Sequence, residues 1–255
     1  MIKGLYTSAS AMGAQKVKME KAANNTANVS TPGFKRELLA FAPLEENRIV
    51  RRDSPGGREA YLGISQSGVT VADIGRNWQP GMVVQIGVPT QLALAEKGFF
   101  ELEVRGGNSG AERAYTRNGS FRLSPEGYLE TAEGHRLMGE AGPVKVASEE
   151  FSVAGDGSIK EEGGGGNKIK VVSIADAGLL KNIEGGHFTL PIGVEAVAET
   201  EPRVLQGSLE KSNVNIIEEL VDILSVTRNY QLNQKVMQTH DEITSKTVNE
   251  VGSLK

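Results

Sequence analysis

Residues 208–251 contain neither glycine nor proline, and within them apolar and small residues recur at helical spacing. Asn215 is placed to cap a helix, with Glu218 three positions on as in a capping box. From there Ile216, Leu220, Ile223, Thr227, Tyr230, Met237, Thr244, Val248 and Val251 follow an alternating four-three pattern. A helix over 216–251 is roughly 54 Å long at 1.5 Å per residue. A helix of that length cannot hide inside a small globule, so its apolar stripe needs partners.

The N-terminus repeats the theme. Ile2, Leu5, Ala9, Met12, Met19 and Ala23 fall on one stripe at spacings of three, four and seven, interrupted by Lys16. This is the pattern of a coiled-coil-like seam. The helix stops before Pro32, because the residue preceding a proline avoids helical angles and proline lacks an N–H. Residues 1–35 carry five Lys and one Glu, whereas 208–255 carry seven acids and five bases. That opposite bias mildly favours pairing of the two ends, although surface charge is worth little. Two readings stay open. The ends form a two-helix hairpin on a central domain of the same chain, or their stripes bury against other copies.

Glycine separates the ends from the middle. Of 31 glycines, only Gly4 and Gly13 lie in residues 1–32. Between about 60 and 205 short alternating runs are punctuated by turn signals. "FFELEV" (99–104) reads as a half-buried strand, and "KIKVVSI" (168–174) as another. "AYTRNGSFRL" (114–123) carries Asn118-Gly119, a strong two-residue hairpin signal, and Pro125-Glu126-Gly127 turns into "YLET". "EEGGGGN" (161–167) reads as a flexible loop tip. Residues 36–62, with Arg48, Arg51, Arg52, Asp53 and Pro55-Gly56-Gly57, read as a charged, irregular connector, extended or partly ordered. The expected organisation is an N-terminal helix and turn (1–35), a connector (36–62), a central β-domain (63–206) and a C-terminal helix (207–255).

Several function classes are excluded or unsupported. There is no cysteine, which removes disulfides, thiolate catalysis and Cys-ligated zinc. Net charge is −4, so nucleic acid is not an expected partner. No stretch approaches the roughly 20 apolar residues that span a bilayer, so membrane insertion is not expected. The N-terminus lacks the hydrophobic block of a signal peptide, which suggests cytosolic retention or export by a route that cleaves no leader. His135, His187 and His240 stand at no metal-ligand spacing. "GNSG" (107–110), "GGGGNK" (163–168) and "GDG" (155–157) miss the nucleophile-elbow, phosphate-loop and calcium-loop patterns. No cofactor, metal or catalytic constellation is expected.

One stretch remains, "ANNTANVSTPGFK" (23–35), in which three amides precede an abrupt Pro-Gly stop. It resembles the signature of the bacterial flagellar rod and hook proteins. Ala23, Asn24, Asn25, Ala27, Asn28, Thr31, Pro32, Gly33 and Phe34 match, and Thr26 stands where the family usually has Leu. "GFF" (98–100), "YTRNGSF" (115–121) and "SPEGYL" (124–129) resemble that family's central β-domain. "PTQLALAEKGFF" departs from it at Gln91, where the family prefers an acid, and at Glu96, where it prefers glycine. "GSLEKSNVNIIEELVDIL" (207–224), with Arg228, Tyr230, Asn233 and Lys235, resembles its C-terminal helix. The chain's length resembles that of the proximal or distal rod proteins, or their paired Gram-positive equivalents.

The resemblance implies an α+β fold, with long N- and C-terminal helices forming a coiled-coil-like axial domain and a mainly antiparallel β central domain outside it. It implies a non-enzymatic subunit of the flagellar basal body that self-assembles into a hollow helical axle transmitting torque from motor to hook. The implied partners are copies of itself, other rod and hook subunits, the flagellar export apparatus and the surrounding bushing rings. The termini are expected to order only on assembly. Assembly residues are expected at Leu5, Met12, Met19, Ala23, Asn24, Asn25, Asn28, Pro32, Gly33 and Phe34, and at Asn213, Asn215, Ile216, Glu218, Leu220, Ile223, Arg228, Tyr230 and Met237. The β-domain turn and core are expected at Phe99, Phe100, Tyr115, Asn118, Gly119 and Phe121. The amides are expected to bridge to neighbouring subunits and to the following loop, fixing register at some cost in stability. In that reading Asn28→Leu leaves a soluble monomer that assembles poorly. Competing classes are a self-contained β-domain binding module with a helical hairpin, and an unrecognised hydrolase.

Overall fold

The structure is a computed structural model and describes residues 2–44, 46–52, 59–104, 113–148, 151–160, 166–191, 193–199 and 202–252. Residues 161–165 of the loop tip expected at 161–167, the "GNSG" stretch and Asp53 to Gly57 lie outside the described residues. The chain is α+β and divides into two compact units.

The first unit holds both long helices, α1 (Ile2–Ala27) and α2 (Ile216–Gly252), together with residues 37–75. The helices pack on each other and run antiparallel: Asn25 meets Glu219, Lys18 meets Asp222, and Gly4 meets His240. Asn215 caps α2 as its sequence suggests, accepting from the Ile217 N–H at 3.1 Å. The Glu218 carboxylate accepts from the Asn215 side-chain amide at 3.1 Å.

Residues 36–62 correct the connector reading. The chain forms β1 (Glu37–Pro43), β2 (Glu46–Arg52), β3 (Glu59–Gln66) and β4 (Val69–Arg76). β1 pairs with β4, and β2 pairs antiparallel with β3 through a bulge at Ile49/Val50. Charge masked the signal: Ile49-Val50 and Tyr61-Leu62 are good strand formers, but they sit among arginines and glycines. Arg48 lies over the Tyr61 ring at 5.2 Å, a cation–π contact within the pair.

The second unit comprises residues 28–36 and 76–214. Its strands are β5 (Val83–Gln85), β6 (Leu92–Leu94), β7 (Phe99–Glu103), β8 (Arg113–Thr116), β9 (Arg122–Leu123), β10 (Leu129–Glu130), β11 (Arg136–Gly139) and β12 (Gly142–Pro143), continuing through β13 (Ser152–Val153), β14 (Ile159–Lys160), β15 (Val171–Ser173), β16 (Lys181–Ile183), β17 (His187–Thr189), β18 (Val197–Ala198), β19 (Val204–Gln206) and β20 (Ser208–Glu210). A ten-stranded sheet runs β16-β17-β8-β7-β11-β10-β9, with β12 on β11, β15 on β7 and β18 on β15. Its pairings are antiparallel. β6 pairs with β19, β5 with β20, and β13 with β14.

β7 is buried on both faces rather than half-buried. Phe100 and Leu102 enter the main core with Phe121, Leu129 and Leu137, while Phe99 and Tyr115 pack with Phe188 and Leu180 in a second cluster. Glu101, though 1% exposed, sits 3.0 Å from Lys170 and 3.4 Å from Arg113, which compensate its burial. The Pro-Glu-Gly turn forms as read: Gly127, at φ +85°, joins β9 to β10 and donates to the Ser124 carbonyl at 2.9 Å.

Asn118-Gly119 is not a hairpin turn. β8 pairs with β7 and β17, and β9 pairs with β10. Gly119 is needed for close approach instead: a Cβ there lies 1.5 Å from the Leu92 carbonyl oxygen, and Leu92 donates to the Gly119 carbonyl at 3.0 Å. Gly119→Ala is therefore expected to destabilise the protein by more than about 2 kcal/mol. Gly155→Ala, whose Cβ enters open space, stays within about 0.5 kcal/mol. Urea denaturation of the two variants checks this.

Candidate assembly interface

The two long helices meet on a column that the apolar periodicity does not mark. On α1, Gly4, Ser8, Ala11, Gln15, Lys18, Ala22 and Asn25 run at four-three spacing and are all buried or half-buried. On α2 the matching column is Glu219, Asp222, Val226, Asn233, Met237 and His240. Small side chains let the backbones approach: a Cβ on Gly4 lies 2.9 Å from Nε2 of His240. The column one step aside stays outside. Leu5, Ala9, Met19 and Ala23 are exposed, and Met12 is half-buried. Of the α2 residues read as a seam, Ile223 and Met237 turn partly inward, whereas Ile216, Leu220, Arg228 and Tyr230 are exposed. Ile217 is 70% exposed, and Val221 and Leu224 are 60% exposed each. From Asp241 to Glu250 every residue of α2 is exposed.

The amides of the signature segment divide between the units and find partners within the chain. In the first unit, buried Asn25 reads the backbone of Glu37 at two points. Its Oδ1 accepts from the Glu37 N–H at 2.9 Å, and its Nδ2 donates to the Glu37 carbonyl at 3.0 Å. The same Nδ2 lies 3.4 Å from Oε2 of Glu219. Asn24, exposed, donates to the Glu37 carboxylate at 3.4 Å, and Lys21 meets that carboxylate at 2.9 Å. Thr26 is half-buried and its hydroxyl donates to the Ala22 carbonyl at 2.8 Å. In the second unit, Asn28 accepts from the Thr31 hydroxyl at 3.1 Å and closes the turn before Pro32. Within the chain Asn25 thus clamps the first residue of β1.

The second unit's seat for the signature is a buried charge cluster that sequence reasoning passed over. Glu210 lies in β20, and its Oε1 takes Nζ of Lys35 at 2.5 Å and the Gly81 N–H at 2.8 Å. Its Oε2 takes Nη1 of Arg117 at 3.2 Å. Lys35 also donates to the Gln79 carbonyl at 2.9 Å and is 1% exposed. Burial pushes Lys35 and Arg117 below their ordinary values, while the Glu210 charge pulls both back up. Gly33 donates its N–H to the Glu210 carbonyl at 2.8 Å and adopts φ +68°. A Cβ on Gly33 meets the Arg117 carbonyl at 2.4–2.5 Å, so the Gly of the signature and the Arg-Asn-Gly stretch are complementary in shape. Pro32 and Phe34 are half-buried beside it. Asn213 braces the same region, accepting from the Arg36 N–H at 2.8 Å and donating to the carbonyls of Asn77 and Gln79 at 2.8 and 2.9 Å. Lys35, Arg117 and Glu210 each sit inside a motif already quoted. Nothing in the local sequence links the three charges.

His135 and His187, far apart in sequence, stand ring to ring at 5.2 Å, and His187 Nε2 lies 3.2 Å from Glu133. Among the described residues no three ligating side chains converge as a metal site. Asn25→Ala leaves both backbone groups of Glu37 without their side-chain partner. It is expected to cost about 2–4 kcal/mol in chemical denaturation, against less than about 1 kcal/mol for exposed Asn24→Ala.

Comparison with known proteins joins these features. Three family descriptions match in chain order: "Flagella basal body rod protein" over residues 5–35, "Flagellar hook protein FlgE/F/G D1 domain" over 93–161, and "Flagellar basal body rod FlgEFG protein C-terminal" over 205–250. The flagellar basal-body rod protein FlgF of Escherichia coli K12 is 30% identical over 254 residues, covering 93% of this chain and 94% of the relative. FlgG of Borreliella burgdorferi is 28% identical, covering 95% and 96%, and FlgG of Bacillus subtilis is 29% identical, covering 98% and 99%. The first and last matches hold the two helices and the Gly33–Glu210 contact, and the middle match holds the Arg117 partner. With relatives aligned along nearly its whole length, the chain belongs to the flagellar basal-body rod protein family.

Proposed function

We propose that this rod-family subunit polymerises through the outward apolar stripes of its terminal helices, meeting copies of itself and other rod and hook subunits in a coiled-coil-like axial layer. The observation that carries the reading is the exposure of Ile217, Val221 and Leu224, at i, i+4 and i+7 along α2, in a chain whose own helix pair is already formed. Leu5, Tyr6 and Met19 on α1 extend the exposed apolar area, as do Tyr61, Leu62 and Ile64 on β3.

Magnitudes favour an array over a lone dimer. Burying those three α2 side chains contributes about 5–9 kcal/mol. Bringing two molecules together costs about 4–15 kcal/mol. One such contact is marginal, whereas a lattice in which each copy meets several neighbours is strongly favoured. Head-to-tail contacts that do not close into a ring give an open helical filament, the shape an axle requires. The role in this reading is mechanical rather than catalytic. The export apparatus and the surrounding bushing rings are its further partners, and the basal body of the flagellum its location.

The double variant Val221→Asp, Leu224→Asp tests the reading. Both positions are exposed, so the monomer is expected to keep its far-UV circular dichroism and its stability to within about 1 kcal/mol. Assembly by sedimentation and electron microscopy, and motility in a complemented deletion strain, are expected to be lost. Normal filaments and swimming would refute it.

A further inference from the structure

Within the second unit a cavity of about 380 Å³ opens beside Trp78, the only tryptophan in the chain. Its aromatic wall is fixed: Trp78 meets Phe99 edge-on at 5.4 Å and Phe188 at 5.1 Å, and Ile174 extends the apolar lining. Among the described residues two cations line it, Lys97 and Arg117, and no carboxylate does. Lys97 is exposed and has no ion-pair partner among the described residues. Arg117 is 4% exposed, and among the described residues the protein gives a hydrogen-bond acceptor to only one of its guanidinium nitrogens, Nη1. That acceptor is Glu210, already shared with buried Lys35, so one carboxylate answers two buried cations. The unanswered donors and the aromatic wall together describe a site for a carboxylate carried next to an apolar group.

We propose that this cavity receives an acidic side chain with its adjoining aliphatic residue from a second copy of the chain. Charge complementarity points to that occupant: the cavity presents Lys97, which has no ion-pair partner among the described residues, and the guanidinium nitrogens of Arg117 beyond the one held by Glu210, whereas the chain as a whole carries 32 acidic against 28 basic residues. The choice of occupant rests on the self-assembly reading; the ligand chemistry of the cavity does not.

Trp78 makes the cavity its own reporter. N-acetyl-leucine, a carboxylate beside an aliphatic side chain, is titrated against the full chain by tryptophan fluorescence, with N-acetyl-leucinamide as the uncharged control. A saturable change is expected, at least fivefold weaker for the amide and for Lys97→Ala. In a dilution series the Trp78 emission is expected to shift as assemblies form. Ala175→Asp, which builds a carboxylate into the exposed cavity rim, is expected to raise the assembly midpoint at least fivefold. An equal response to acid and amide, or none, in a chain that assembles overturns this inference alone. Assembly with unchanged Trp78 emission and an unmoved Ala175→Asp midpoint overturns the second copy as occupant. Acid-dependent binding in a chain that never sediments as assemblies overturns both that occupant and the self-assembly reading.

Discussion

The antiparallel helix pair meets on glycine, serine, alanine and amide side chains, and that choice decides what the rest of its surface has to do. Gly4, Ser8, Ala11 and Ala22 let α1 approach α2 closely enough that His240 fills the space a Cβ on Gly4 needs. A seam of small and polar residues buries little apolar area, so the pairing contributes modestly to stability. It leaves Leu5, Met19, Ile217, Val221 and Leu224 facing outward. Those side chains retain their burial free energy for contacts the single chain does not make. The polar groups in the seam set geometry rather than strength. Asn25 can satisfy the N–H and carbonyl of Glu37 only at one helix register, and a misplaced register leaves buried polar groups unpaired.

The second unit applies the same principle with charges. Glu210 is held by Lys35 and Arg117 at 2.5 and 3.2 Å, far from bulk water. Such a cluster adds little net stability over an apolar core, yet removing one member leaves an uncompensated buried charge that costs about 3–5 kcal/mol. The chain segment around Gly33 is thereby tied to one place, by a glycine too close to the Arg117 backbone for any other residue. Within each unit, then, a residue of the amide-rich signature serves as a geometric key: Asn25 in one, Gly33 with Lys35 in the other.

Much of this was legible in the sequence wherever a periodic or turn signal had one interpretation. The absence of Gly and Pro over 208–251, the Asn215 cap and the Pro-Glu-Gly turn lead directly to α2 and to the β9–β10 hairpin. Failures came where two physical causes produce the same residue. Asn118-Gly119 looks like a turn because glycine tolerates positive φ, but Gly119 is there for contact with the Leu92 carbonyl. The Leu5–Met19 stripe looks like the helix pair's seam because apolar residues usually face a partner, but the intrachain partner is met by Ser8, Ala22 and Asn25. Strands β2 and β3 were hidden because charged residues and Gly63 break up their short runs of strand formers. Lys35, Arg117 and Glu210 were invisible as a group because ion pairs between residues 93 and 175 positions apart leave no local pattern.

In the proposed assembly the outward stripes of α1 and α2 are covered by neighbouring subunits. Hydrogen–deuterium exchange of the dilute monomer and of assembled filaments tests it most directly. Amides in residues 2–27 and 216–250 are expected to gain at least tenfold protection on assembly, while those of β7 and β8, already deep in the sheet, change little. Equal exchange of the helices in monomer and filament would contradict the account.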